Sequence, residues 1–220
     1  MSENIKVVVD AMGGDNAPEV TVEGAVEALK VSDKISIILT GRTEDIKKEL
    51  QKYSYDESRI SIVQADDVIG FDEPPVMAIR KKKNSSIVVG LNLVKRGEAD
   101  AFVSAGSTGA ILVGGQFVVG RIKGIERAPL APLIPTAKGP SLLIDCGANV
   151  DASSSHLVQF AKMGSIYMEQ GGAPLLGLKG LVVKAHGSSG ADDIKKAIIQ
   201  CIQFSEEEIN EKIKENIITD

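Results

Sequence analysis

Polar residues able to do chemistry gather in short, glycine-containing stretches, each directly after an apolar run. Asp10, Gly13, Gly14, Asp15 and Asn16 follow Ile5 to Val9. Ser104, Gly106, Ser107, Thr108 and Gly109 follow Ala101 to Val103 and open a second apolar run. Asp145, Gly147, Asn149 and Asp151 follow Leu142 to Ile144, and His186, Gly187, Ser188 and Ser189 follow Leu181 to Val183. A helix opening at Ser107 leaves backbone N–H groups unpaired beside two hydroxyls, a natural cradle for a phosphate or an oxyanion. A capped helix with tight glycine packing would use the same residues. Around Asp10, a turn and an N-cap account for Asn16 and one glycine, but not for two carboxylates at a strand end. Asp145 and Asn149 suit turn amides as well as ligands, and His186 suits a structural hydrogen bond as well as catalysis.

Missing motifs narrow the chemistry. The chain has no Gly-x-Gly pair and no Gly-Lys dipeptide, so the dinucleotide fingerprint and the Walker-type phosphate loop are excluded. It has no Gly-x-Ser-x-Gly elbow. Its 2 histidines, His156 and His186, and its 2 cysteines, Cys146 and Cys201, make a catalytic metal improbable, and none is expected.

The elements that must hold these stretches alternate. Ile5–Val9, Ile35–Leu39, Ile60–Val63, Ala101–Val103, Leu142–Ile144 and Leu181–Val183 read as strands, short and rich in β-branched residues. Helices are expected after an N-cap at Asn16, after an N-cap at Thr43 and on to Leu50, from Ser85 to Arg96 with Gly97 closing it, and from Ala110 to Val119. This alternation predicts an α/β fold: a mostly parallel sheet, helices on both faces, ligands at the carboxyl ends of the strands. Ile209, Ile213 and Ile217 mark an amphipathic tail helix expected to dock on its own domain.

The length of 220 residues suits one domain over 1–220, since domains average about 150 residues. A net charge of −5 argues against nucleic acid, so an anionic partner needs a local basic patch. Arg80-Lys81-Lys82-Lys83 is the densest such cluster, either a solvated helix end or a seat for an acidic partner. The uncharged stretch Ala101–Gly120 carries five glycines and reads as buried strand, loop and helix, not as a membrane span. Few cysteines and no signal-peptide pattern at the first residues lead to a cytoplasmic expectation.

Taken in order, Val9-Asp10-Ala11-Met12-Gly13-Gly14-Asp15-Asn16-Ala17-Pro18, Arg80-Lys81-Lys82-Lys83-Asn84-Ser85-Ser86, Ser104-Ala105-Gly106-Ser107-Thr108-Gly109-Ala110, Gly120-Arg121-Ile122-Lys123-Gly124-Ile125, Asp145-Cys146-Gly147-Ala148-Asn149-Val150-Asp151 and Lys184-Ala185-His186-Gly187-Ser188-Ser189 resemble the bacterial phosphate acyltransferase of phospholipid synthesis (the PlsX family). The resemblance implies a Rossmann-like fold similar to phosphate acetyltransferases and isopropylmalate dehydrogenase-like folds. It also implies a homodimer, peripheral membrane contact, and acyl transfer from acyl-carrier protein to inorganic phosphate. No cofactor is implied beyond the phosphopantetheine arm that arrives on the carrier. The family carries a further stretch, with a Gly-Thr-Glu loop and an Asp-Gly-Phe-x-Gly-Asn motif, whose place here would be between Gln170 and Gly171.

On this reading phosphate sits at Ser107, Thr108 and Gly109, with Asn84, Ser85, Gly147, Asn149 and Ser188 as further ligands. His186 polarises the thioester or protonates the departing thiolate, and Asn149 is the other catalytic candidate. Asp10, Gly13, Gly14 and Asp15 orient loops, since like charges keep the carboxylates off phosphate. Lys81, Lys82, Lys83, Arg121 and Lys123 are the candidates for receiving the acidic carrier. Two rivals stay open: a coenzyme A-dependent phosphotransacylase, and a non-catalytic module that binds acyl-carrier protein or a membrane surface.

Overall fold

The protein is described by a computed structural model over residues 4–137, 139–168 and 175–217, so the Gln170–Gly171 junction lies outside the described residues. Its strands are β1 (Ile5–Asp10), β2 (Ile35–Gly41), β3 (Ile60–Gln64), β4 (Ala101–Ser104), β5 (Leu133–Thr136), β6 (Gly139–Leu142) and β7 (Leu181–Lys184). Its helices are α1 (Glu19–Val31), α2 (Thr43–Leu50), α3 (Pro75–Lys81), α4 (Ser86–Lys95), α5 (Thr108–Gly114), α6 (Ser154–Met168), α7 (Ala191–Glu206) and α8 (Ile209–Ile217).

Five strands pair in parallel in the order β3-β2-β1-β4-β7. The chain steps outward from β1 to β2 and β3, then returns to the other side of β1 as β4. Such a switch point opens a crevice at the carboxyl ends of the two central strands. Both faces are covered, as an α/β sheet requires. Val7, Val9, Ala101, Val103 and Val183 pack against one buried cluster that includes residues of α1, α2, α6, α7 and α8. Val8, Phe102 and Val182, one residue out of phase, pack against a second cluster built with α3, α4 and α5. The period of two along each strand thus sends alternate residues into two separate cores.

Several expectations hold. Ser85 caps α4 by accepting from the Val88 N–H at 3.3 Å, and Gly97 follows that helix with φ 71°. Ile209 and Ile213 of the tail are buried in the first cluster, with Ile217 packed against it. No described helix is long and apolar enough to cross a membrane, and Ala101–Gly120 forms β4, α5 and a π-helical turn at Gly115–Val119.

Others need correction. The cap of α1 is Pro18, with no side-chain bond, and Asn16 contributes only its carbonyl, which accepts from the Val20 N–H. Arg42 precedes α2, and Thr43 is its first helical residue. Leu142–Ile144 does not add a parallel strand. Gly139–Leu142 instead forms a two-stranded antiparallel hairpin with Leu133–Thr136, outside the main sheet. Pro135 and Pro140 are register partners in this hairpin, and residues without an N–H suit a short two-stranded ribbon better than the interior of a sheet.

Candidate functional site

Where the strands reach the switch point, one face of the sheet changes character at a single level. Ile38, Val8, Phe102 and Val182 line up across β2, β1, β4 and β7 and belong to the aliphatic core. Two residues on, the same face carries Thr40, Asp10, Ser104 and Lys184, with Thr40 paired to Asp10 and Ser104 paired to Lys184. A four-strand polar row therefore closes the core toward α4 and α5. Thr40, Asp10 and Ser104 are fully or almost fully buried. Such groups must be bonded to be tolerated, and they are: the Ser104 hydroxyl donates to Asp10 Oδ2 at 2.7 Å, and the Thr40 hydroxyl donates to the Ser86 carbonyl at 3.1 Å.

Asp10 organises the loop after its own strand. Its Oδ1 accepts the Met12 N–H at 3.1 Å, and its carboxyl also takes bonds from Ser86 and the Gly13 amide. Burial holds the acid above the usual carboxylate range, and these hydrogen bonds pull against that shift. Gly13 is required by contact, since a Cβ there would lie 2.3 Å from Asp10 Oδ2 and 2.8 Å from the Gly106 nitrogen. The Asp15 N–H donates to the Gly187 carbonyl at 2.9 Å, which ties the loop after β1 to the loop after β7. Asp10 thus binds the loop through its carboxyl group, whereas Asp15 joins the two loops through its backbone N–H.

The turn after β4 is the open part. The Gly106 N–H is spent on Ser104 Oγ at 3.0 Å, and the buried Ser107 hydroxyl accepts from the Ala110 N–H at 3.4 Å. The N–H groups of Thr108 and Gly109 have no acceptor among the described residues, and Thr108 is exposed. Gly109 packs on α3, where a Cβ would meet Pro75 at 2.5 Å. Helix α5 runs directly into the Gly115–Val119 turn, so its dipole is longer than its seven residues.

His186 is exposed at the mouth of this crevice. Its Nδ1 lies 2.8 Å from Ser188 Oγ and accepts the Ser188 N–H at 3.2 Å, leaving Nε2 without a partner among the described residues. Ser188 therefore orients the ring. Asn84 is exposed and donates to Asp66 at 2.5 Å, while the buried Ser85 hydroxyl is engaged as a helix cap.

Two sets of sequence candidates are not brought together. Asn149 and Gly147 sit in the turn between the hairpin and α6. There Asp145 accepts from the Leu130 and Asn149 backbones at 2.7 and 2.6 Å, and Asn149 Nδ2 donates to the Ala128 carbonyl at 3.1 Å. Asn149 thus serves this turn. Of the basic residues, Lys81 and Lys83 are exposed beside the loops of the carboxyl edge, whereas Lys82 is tied to Glu73 at 2.7 Å and to the Val68 carbonyl. Arg121 and Lys123 lie beyond the far end of α5; Lys123 shares a cavity with Lys179, which precedes β7, and with Lys214 of α8. These five residues form two patches on opposite edges of the sheet.

One residue escaped the sequence reading. Lys184 ends β7 on the polar row, half-buried, and burial pushes its ammonium down to about 8 while the Asp10 charge pulls it back up. The apolar run read as a strand ends at Val183, one residue short of the end of β7; the period of two from Val182 could have placed Lys184 on the same face as Asp10. No group of three or more His, Cys, Asp or Glu residues able to hold a metal ion occurs among the described residues.

Comparison with known proteins gives a consistent picture. A family model described as "Fatty acid synthesis protein" matches residues 5–171. A phosphate acyltransferase of Clostridium novyi is 54% identical over 165 residues, which cover 75% of this chain and 50% of the relative. One from Clostridium acetobutylicum is 52% identical over 173 residues, or 79% of this chain and 51% of the relative. The chain thus spans about half the length of the curated relatives it matches. In fold it resembles a phosphotransacetylase from Streptococcus pyogenes (TM-score 0.71, 18% identity, 93% of this chain and 94% of that one). It also resembles a branched-chain phosphotransacylase from Enterococcus faecalis (TM-score 0.61, 12% identity, 90% and 98%).

Proposed function

Since the chain belongs to the fatty acid synthesis protein family, we propose that it binds inorganic phosphate at the open turn before α5 and serves acyl transfer to that phosphate. The acyl donor is an acyl-carrier protein thioester and the product is an acyl phosphate for phospholipid synthesis. The observation that carries this reading is the pair of unclaimed amides at Thr108 and Gly109, set at the switch point beside the polar row.

Phosphate is about half dianion at neutral pH, and the dianion is already a competent nucleophile. It needs positioning and partial desolvation more than a general base. The Thr108 and Gly109 amides supply the positioning, and the exposed Thr108 hydroxyl adds a donor. The thioester carbonyl needs a donor where its oxyanion develops, and the free Nε2 of His186 at the crevice mouth fits that role. A thiolate leaves readily, so His186 works mainly as a hydrogen bonder, at the low end of the roughly 10²–10⁴-fold that general acids contribute. The acidic carrier approaches over Lys81 and Lys83, which share the carboxyl edge with the turn.

The test is phosphate-dependent release of free thiol from an acyl-carrier-protein thioester, run beside the same assay with acyl-coenzyme A. Thr108→Val is expected to raise the phosphate concentration needed for half-maximal rate several-fold while leaving the melting temperature unchanged. Unaltered phosphate saturation in that variant moves the site elsewhere, and a faster reaction with acyl-coenzyme A reassigns the donor.

A further inference from the structure

The polar row ends in a positive charge that nothing in the fold consumes. Lys184 is half-buried at the carboxyl end of β7, paired in the sheet with Ser104 and on the same face as Asp10. Its Nζ donates to the carbonyl of its neighbour Ala185, and it has no ion-pair partner among the described residues. Asp10 does not neutralise it by contact, because the carboxyl oxygens of Asp10 are taken up by Ser104, Ser86 and the Met12 and Gly13 amides. A partly desolvated ammonium without a counter-ion is costly, and the fold retains one beside the crevice where the loops after β1, β4 and β7 meet.

We propose that Lys184 is the cation that holds the phosphate dianion, with Ser104 fixing its strand alongside and Asp10 keeping the surrounding loop amides in place. The proposal rests on the phosphate-binding reading given above and names the residue that supplies its charge. Four elements bear on the lysine. Asp10 on β1 is the charged group that acts on it, β4 brings the neutral Ser104, and α4 and α5, packed against the same face, bring no acidic or basic residue in their first turns. The charge is therefore available to a ligand at neutral pH, and the ligand raises the lysine's proton affinity in return.

The experiment measures the rise in melting temperature that inorganic phosphate gives the full chain, at pH 7.0 and pH 9.5. Orthophosphate is a dianion at the higher pH, so a loss of the effect there reports on the protein rather than on the ligand. Wild type should show a phosphate-dependent rise at pH 7.0 that shrinks at pH 9.5. Lys184→Met should lose the rise at both pH values, and Lys184→Arg should keep it at both, since a guanidinium stays charged. An undiminished rise in Lys184→Met, which also demonstrates that this variant folds, overturns the assignment while leaving the phosphate site standing. Absence of any rise in wild type overturns the phosphate reading itself. A rise given by 4′-phosphopantetheine but not by inorganic phosphate places the lysine on the donor's arm and likewise overturns the proposal.

Discussion

The turns at 104–109 and 145–151 look alike in sequence: an apolar run, small polar residues with glycine, then a helix. In the fold they are unlike. The first is clamped between the central strand β4 and α5, with Ser104 and Ser107 buried and its neighbours drawn from the loop after β1 and from α3 and α4. The second joins a detached hairpin to α6 and is bordered by exposed apolar side chains, Val150 at 98% and Leu157 at 56% exposure. The first reaches a fully buried aspartate on the neighbouring strand, Asp10, through the Ser104 hydroxyl, whereas the second carries its own aspartate, Asp145, which accepts backbone amides while only partly buried. The same local chemistry thus builds a supported crevice in one place and an ordinary surface turn in the other, and the neighbouring strands decide which.

That contrast can be broken by removing each aspartate in turn. Asp10→Ala strands several buried donors and should cost about 3 kcal/mol, whereas Asp145→Ala lets water replace it and should cost about 1 kcal/mol. Urea denaturation of both variants gives the comparison, and equal losses would dissolve the distinction. The glycines give a smaller difference of the same kind. Gly13→Ala drives a methyl into Asp10 and the Gly106 amide, an overpacking worth about 2 kcal/mol. Gly147→Ala meets no atom within 4 Å and pays only for its left-handed φ of +74°, about 1 kcal/mol.

The smallest effect is a pH dependence confined to the supported region. The folded-state value of Lys184, pushed down to about 8, lies below its unfolded value of 10.5. Between those values the unfolded chain binds more protons, so stability rises with pH. Stability of wild type relative to Lys184→Met should therefore improve between pH 8 and pH 10 in urea melts. A flat difference would mean that the lysine is solvated like any surface residue.

Much of this was legible in the sequence. The β-branched runs and the 85–96 helix closed by Gly97 carried the order of strands and helices, and the repulsion between a carboxylate and phosphate pointed Asp10 toward its loop; that Ser85 caps α4 shows only in the fold. The hairpin was misplaced because Leu142–Ile144 is as apolar as a parallel strand; the prolines at 135 and 140 were the available warning. Helix α3 was missed because its approach, Asp72-Glu73-Pro74-Pro75, carries no apolar period. Lys184 was passed over because its meaning depends on which strands lie beside it, and adjacency is a property of the sheet, not of the local sequence.

The row Thr40–Asp10–Ser104–Lys184 also bears on how the sheet assembles without error. Val7, Val8 and Val9 are identical in shape and propensity, so aliphatic packing alone would accept β1 sliding along β4. A one-residue slide would turn Asp10 into the opposite aliphatic core and strip Ser104 of its acceptor. A two-residue slide would keep Asp10 on its face but set it against Phe102 or beyond the strand end. Either misalignment leaves a buried carboxylate without donors, a penalty that the correct pairing alone escapes. The residues that furnish the crevice therefore also act as a proofreading device for strand alignment.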